Sequence, residues 1–117
     1  MTPNQQTVAN YMDAFNRSDD AAILACLTDD VSWIMPGFFH LEGKAAFAKE
    51  IHNEAFVGRP TIVTTRVTEG NNVVVSEGTV TCARKDGGTL NAVFCDVFVM
   101  RNAKIQQLTS YLMELKS

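Results

Sequence analysis

The sequence predicts an α+β fold, in which three N-terminal helices pack on a curved antiparallel sheet. Apolar residues recur at helical spacing in the first half of the chain, whereas the second half is rich in Val, Thr and Ile. Turn signals divide the second half into four segments of strand length. Helices that are kept apart from a run of consecutive strands are typical of α+β proteins.

The first helix is predicted to begin at Thr2-Pro3, because threonine caps helices well and proline fits the first helical turn. Its apolar face has the spacing i, i+3, i+4, i+7 and consists of Val8, Tyr11, Met12 and Phe15. The polar run 16–20 ends it and caps a short second helix near residues 21–27. Gly43 opens a third helix, whose apolar side carries Phe47, Ile51 and Ala55.

Five strands are predicted. The first covers residues 31–35 and is ended by Pro36-Gly37, after which a loop through His40 leads to the third helix. The others form a meander that is divided by turn signals such as Asn71-Asn72 and Gly87-Gly88. Their predicted ranges are 61–69, 73–84, 90–100 and 105–115.

Length and charge narrow the class of protein. A chain of 117 residues has the size of one domain, which we expect to span residues 1–117. The net charge is -3 and basic residues form no cluster, which argues against nucleic acid or an anionic membrane as the partner. Since the sequence shows neither a signal peptide nor an apolar run of about 20 residues, we expect a cytoplasmic protein.

The cysteines argue against a metal centre and a disulfide framework. There are three of them, Cys26, Cys82 and Cys95, with no Cys-x-x-Cys motif and no nearby histidine pair. We expect buried structural thiols. No metal or organic cofactor is implied.

The segment 92–101 is apolar on both faces of its predicted strand. Alternation places Ala92, Phe94, Asp96, Phe98 and Met100 on one face, and Val93, Cys95, Val97, Val99 and Arg101 on the other. Both faces must therefore be covered, and the helices of so short a chain cover only one. We predict a homodimer through the outer sheet face that carries Val93, Val97 and Val99.

Asp96 is a carboxylate between two phenylalanines on one face of that strand. Burial would disfavour its charged form, raise its pKa and suit it to acid-base chemistry. The alternative is a structural aspartate bonded to a backbone amide or an arginine. Tyr11 is the second polar group on an apolar face, and its alternative is a core tyrosine with a satisfied hydroxyl. A first helix that crosses a curved sheet would bring Tyr11 near Asp96.

Several segments together resemble the NTF2-like superfamily, and within it the SnoaL-like and ketosteroid isomerase-like branch. The matching segments are residues 11–16, residues 27–33, Pro36-Gly37 followed by residues 43–47, and residues 96–98 followed by Lys104-Ile105. The resemblance implies a cystatin-like cone with an apolar pocket for a small apolar ligand. This scaffold hosts isomerases, cyclases, dehydratases, epoxide hydrolases and non-catalytic binders, so it implies a fold rather than one reaction.

The resemblance also implies roles for individual residues. In ketosteroid isomerases, a tyrosine at the position of Tyr11 and a protonated aspartic acid at that of Asp96 donate hydrogen bonds to the developing oxyanion. The general base of those enzymes is an aspartate where this chain has Met35, and a thioether cannot accept a proton. This departure argues against an authentic steroid isomerase. Either Asp96 is itself the acid-base group, as in SnoaL-like cyclases, or His40 reaches the mouth of the pocket.

Strand alternation and the resemblance together give the pocket lining. The predicted ligand-binding residues are Trp33, Met35, Phe94, Phe98, Leu108, Ser110 and Leu112. The alternative is that the large side chains among them merely fill the core. Two functions remain open: an enzyme that acts on a carbonyl compound by enolisation, cyclisation or dehydration, and a non-catalytic ligand-binding or dimerisation module. Epoxide hydrolysis needs several polar residues around a water, and the sequence does not supply that set.

Overall fold

The computed structural model describes residues 1–51 and 56–116, except for the side chains of residues 56–59. The helices are α1 (Pro3–Asn16), α2 (Asp20–Ala25) and α3 (Lys44–Ile51). The strands are β1 (Leu27–Met35), β2 (Phe39–Glu42), β3 (Phe56–Gly70), β4 (Val73–Arg84), β5 (Thr89–Arg101) and β6 (Lys104–Glu114). The predicted α+β fold is confirmed. Ala55, predicted on the third helix, lies outside the described residues.

The strands form one open, curved sheet with the order β2-β1-β6-β5-β4-β3. Neighbouring strands are antiparallel except β1 and β6, which are parallel, so the sheet is mixed. The parallel pair arises because β1 joins the free edge of the meander beside its last strand. Apolar alternation determines which face of a strand is buried but not the direction of its neighbour, which explains why the sequence did not reveal this pair.

Strand β2 replaces the loop that we predicted around His40. The turn after Met35 has Gly37 at a φ of 85°, and the Phe38 amide donates to the Met35 carbonyl at 2.9 Å. It folds the chain back so that His40 pairs with Ile34 of β1. The prediction missed this strand because four residues are too few for alternation to stand out.

Helix α1 is capped at its start and is hydrogen-bonded to the sheet at its end. Thr2 caps it in a reciprocal arrangement with Gln5, as the sequence predicted for its start. At the other end the Asn16 side-chain amide donates to the Ile62 carbonyl at 3.0 Å and accepts from the Ile62 amide at 2.7 Å. Because β3 is an edge strand, Asn16 pairs backbone groups that have no neighbouring strand. These contacts determine how α1, and with it Tyr11, lies on the sheet.

The two faces of β5 differ as the alternation predicted. Its inner residues Ala92, Phe94, Phe98 and Met100 are buried under the helices, whereas Val93 is 38% exposed on the outer face. Gly78 of β4 lies against the inner wall, where an added Cβ would stand 2.9 Å from the Phe94 ring and 1.9 Å from the Val63 carbonyl oxygen. Only glycine allows this close approach of strand and ring.

Candidate functional site

A cavity of about 120 Å³ lies between α1 and the inner face of the sheet. Its walls are mostly apolar, and the hydroxyls of a tyrosine and a serine and one carboxyl group interrupt them. The lining residues are Tyr11, Met12, Phe15, Trp33, Met35, Ile62, Val80, Phe94, Asp96, Ser110 and Leu112. Tyr11 and Asp96, predicted to converge, therefore line one cavity.

Tyr11 reaches the cavity from α1 and is 3% exposed. Its ring meets Phe98 edge to face at a centroid distance of 5.5 Å and Phe15 at 5.5 Å. Burial, then the nearby Asp96 carboxyl, then Cys26 raise the pKa of Tyr11 well above its ordinary value. The phenol therefore stays protonated at neutral pH and remains a hydrogen-bond donor.

Asp96 lies in the middle of β5 and is half-buried. Burial raises its pKa to about 7, although hydrogen bonding with Ser110 favours the charged form and partly offsets that rise. At neutral pH the carboxyl group is therefore divided between its protonated and ionised forms. A group of this kind can both donate and accept a proton.

Ser110 links Asp96 to Trp33 across three strands. The Trp33 indole Nε1 on β1 donates to the Ser110 hydroxyl on β6 at 3.0 Å. Ser110 of β6 lies directly opposite Asp96 of β5 in the register of the sheet. Because the serine oxygen accepts from the indole, its own hydrogen is left for the carboxylate. This arrangement orients Ser110 toward the charged form of Asp96.

Trp33 is held by aromatic neighbours as well. Its ring stacks on Phe47 of α3 at a centroid distance of 4.3 Å and meets Phe39 of β2 edge to face at 5.2 Å. The short strand β2 therefore helps to hold the tryptophan that orients Ser110.

The other predicted lining residues fall into two groups. Met35, Phe94 and Leu112 line the cavity, and Leu112 is 38% exposed at its mouth. Phe98 and Leu108 are completely buried and lie outside the lining set, in the core around it.

The structure does not bring His40 into the cavity. Its side chain is 58% exposed on the edge strand β2, where Nε2 lies 2.8 Å from the Glu42 carboxylate. Among the described residues that line the cavity, Asp96 is the only carboxylate and none is a histidine. The described part of the chain contains no group of three or more His, Cys, Asp or Glu residues arranged to hold a metal ion.

Four lining residues were not predicted from the sequence, namely Met12, Phe15, Ile62 and Val80. The first two belong to the apolar face recognised on α1, where their spacing could have identified them. Ile62 and Val80 are Cα partners across β3 and β4. No feature of the sequence showed that α1 would end opposite this pair, because the Asn16 contact that places it there is not a recurring motif.

The model of a family described as a SnoaL-like domain matches residues 8–108. No sequence among the curated proteins matches this chain. In the described part of the structure, no helix is both long and apolar enough to cross a membrane.

Solved structures of the same fold cover nearly the whole chain. An NTF2-like protein of unknown function from Burkholderia pseudomallei is 22% identical with a TM-score of 0.90, covering 97% of this chain and 92% of its own. A candidate polyketide cyclase from Xanthomonas campestris is 26% identical with a TM-score of 0.85, covering 93% and 89%. An LEH-like epoxide hydrolase from M. tuberculosis is 18% identical with a TM-score of 0.83, covering 95% and 83%. These likenesses concern the fold.

Proposed function

The chain belongs to the SnoaL-like family, and from this premise we propose that its cone binds one small apolar molecule through a carbonyl or phenolic oxygen. The observation that carries the proposal is the placement of Tyr11 and Asp96 on one apolar cavity. A protonated phenol and a protonated carboxyl group are both hydrogen-bond donors. In a cavity from which water is excluded, two such donors stabilise an oxygen on which negative charge develops.

The size of the cavity limits the ligand. A cavity of about 150 Å³ lined by apolar side chains accepts benzene, and the cavity here measures about 120 Å³. It therefore suits a single ring or a short branched chain. A larger ligand would have to extend through the mouth past Leu112.

We propose further that the site carries out acid-base chemistry on such a carbonyl compound, by enolisation, cyclisation or dehydration. Tyr11 would donate a hydrogen bond to the carbonyl oxygen. Asp96 would transfer its proton to that oxygen or, when ionised, remove one from the neighbouring carbon. A pKa of about 7 supports both roles near neutral pH.

A non-catalytic ligand-binding module is the second candidate. It is favoured by Met35, which lines the cavity and stands where the resemblance to ketosteroid isomerases implies the general base. Exchange of deuterium into the carbon next to the carbonyl of a small cyclic ketone, followed by NMR, separates the two. If the protein is an enzyme, the wild type should accelerate the exchange and the Asp96→Asn variant should not. If it is a binding module, the exchange rate with the wild type should equal the rate in buffer.

Phenol binding tests the ligand proposal. Trp33 is the only tryptophan of the chain and lines the cavity, so its fluorescence reports occupancy. We expect saturable quenching by phenol, and affinity about fivefold weaker in Tyr11→Phe, because one hydrogen bond contributes about 1 kcal/mol.

Toluene serves as the control ligand, since it has the ring without the hydroxyl group and should bind equally to both proteins. Equal phenol affinity of the two proteins would contradict the role of Tyr11. The absence of any saturable quenching would contradict the ligand proposal.

We also propose a homodimer through the outer sheet face, with a second copy of this chain as the occupant. Support comes from apolar side chains that the helices leave uncovered on that face: Val63, Val93, Tyr111 and Met113 are between 38% and 70% exposed. The half-buried Val97 and Val99 lie further along the same face of β5. Arg66 and Glu77 on the same face form an ion pair whose charges cancel. This pair therefore adds no net charge that would repel a second copy.

Sedimentation equilibrium at micromolar concentration tests the dimer. We expect twice the chain mass of 12.9 kDa and a monomer for Val97→Glu, because a buried, unpaired carboxylate at an interface is costly. Ala9→Glu, which adds the same charge on an exposed position of α1, should remain a dimer. A monomeric wild-type protein would contradict the proposal.

A further inference from the structure

Ser76 of β4 is a completely buried serine whose hydroxyl has no hydrogen-bond partner among the described residues. Such groups are rare, because a buried hydroxyl without a partner loses its hydration and gains nothing in return. Valine, which precedes Ser76 at positions 74 and 75, would fill a buried strand position without this penalty. We therefore expect the Ser76 hydroxyl to have a hydrogen-bond partner in another state of the protein.

The register of the sheet places that partner directly opposite. Ser76 is the Cα partner of Asp96 across β4 and β5, and Asp96 is the Cα partner of Ser110 across β5 and β6. Side chains in such opposed positions have Cβ atoms about 5 Å apart and lie on the same face of the sheet. The Asp96 carboxyl group therefore has one serine on each side.

The two serines are not in the same situation. The Ser110 hydroxyl accepts from the Trp33 indole and is oriented toward Asp96. No hydrogen bond to a described residue holds the Ser76 hydroxyl in one orientation. A neutral carboxyl group directs its own proton toward the cavity and needs one supporting donor, whereas a carboxylate accepts several hydrogen bonds. A second donor beside Asp96 is useful only after the proton has left.

We propose that Ser76 is a positioning residue for Asp96, whose hydroxyl turns to donate to the carboxylate once Asp96 has given up its proton. No covalent bond changes in this step; the proton moves from Asp96 to the bound oxygen compound, and the serine hydrogen then faces the carboxylate. The inference deepens the proposed acid-base function and rests on it for its purpose. The proposed hydrogen bond depends only on the ionisation of Asp96, so it should form with or without a ligand.

The other titratable groups around Asp96 do not interfere near neutral pH. Among the described residues these are Tyr11, which faces it from α1, and Cys95, its neighbour on β5. Burial raises the pKa of both groups above their ordinary values, so neither ionises while Asp96 titrates. Glu77 and Arg66 form their ion pair beyond Cys95 on the outer face.

The test is a titration of the Asp96 side-chain carboxyl carbon, followed by ¹³C NMR in the absence of ligand. The resonance of this carbon is assigned as the one that disappears in Asp96→Asn. We expect Ser76→Ala to raise the midpoint by about one pH unit, since it removes a donor to the charged form. Ser76→Thr retains the hydroxyl group and should retain the wild-type midpoint. Val74→Ala, which removes bulk from the next inward position of the same strand, should lower stability and leave the midpoint unchanged.

An unchanged or lowered midpoint in Ser76→Ala would overturn the inference, as would a rise of equal size in Val74→Ala. These outcomes are distinct from a failure of the proposed function. That failure would appear as an ordinary aspartate titration in the wild-type protein, or as the absence of phenol binding, whatever the Ser76 variants do.

Discussion

Asp96→Asn is expected to abolish the pH dependence with which the cavity binds a phenolate. The probe is an electron-poor phenol that stays ionised over the whole range, so that only the protein titrates. In the wild-type protein the neutral carboxyl group should donate to the phenolate oxygen. Above its pKa of about 7 the ionised group no longer donates and repels the anion.

The wild-type affinity should therefore be constant well below pH 7 and fall about tenfold per pH unit above it. The asparagine amide donates at every pH, so the affinity of the variant should stay level. Trp33 fluorescence measures both curves. Asp29→Asn, which removes an exposed carboxylate that does not line the cavity, should keep the wild-type curve. Equal slopes for wild type and Asp96→Asn would contradict the assignment of Asp96 as the donor.

The same substitution is expected to stabilise the protein at alkaline pH. The pKa of Asp96 is about 7 in the folded protein and about 4 in the unfolded chain, so between these values the folded state holds a proton that the unfolded state has lost. The free energy of unfolding therefore falls as pH rises through this window and becomes level above about pH 7. Asparagine does not titrate and removes this loss.

From about pH 5 to about pH 8 the wild-type protein should lose about 2 kcal/mol of stability relative to Asp96→Asn. Urea unfolding at both pH values measures the difference. Asp19, Asp30, Glu42 and Glu77 have pKa values below the ordinary range, so their stabilisation is lost only at lower pH. They are also common to both proteins and cancel. A constant difference between the two proteins across this range would contradict a raised pKa.

The sequence was sufficient to predict the features that depend on local periodicity. The helical spacing around Tyr11 and the alternation around Asp96 each identify a polar group on an apolar face, and both lie on the cavity. The cap at Thr2 and the turns between the last strands are likewise local, which explains why those boundaries were predicted well. Val73–Arg84, for example, has the predicted bounds.

What the sequence did not show depends on contacts between distant segments. The parallel partner of β1 is β6, more than 70 residues away in sequence, and periodicity carries no information about this pairing. The strand containing His40 forms because a turn returns it to β1, and that pairing leaves the histidine on the outside. Ser76 became notable only when the register placed it opposite Asp96.

We expect the apolar cavity to hold Asp96 protonated up to about neutral pH, so that it serves as a hydrogen-bond and proton donor beside Tyr11. Titration of the Asp96 carboxyl carbon in the wild-type protein by ¹³C NMR tests it most directly. The structure predicts a midpoint of about 7. A midpoint at or below about 4, the range of an ordinary aspartate, would contradict it and leave Asp96 with a structural role.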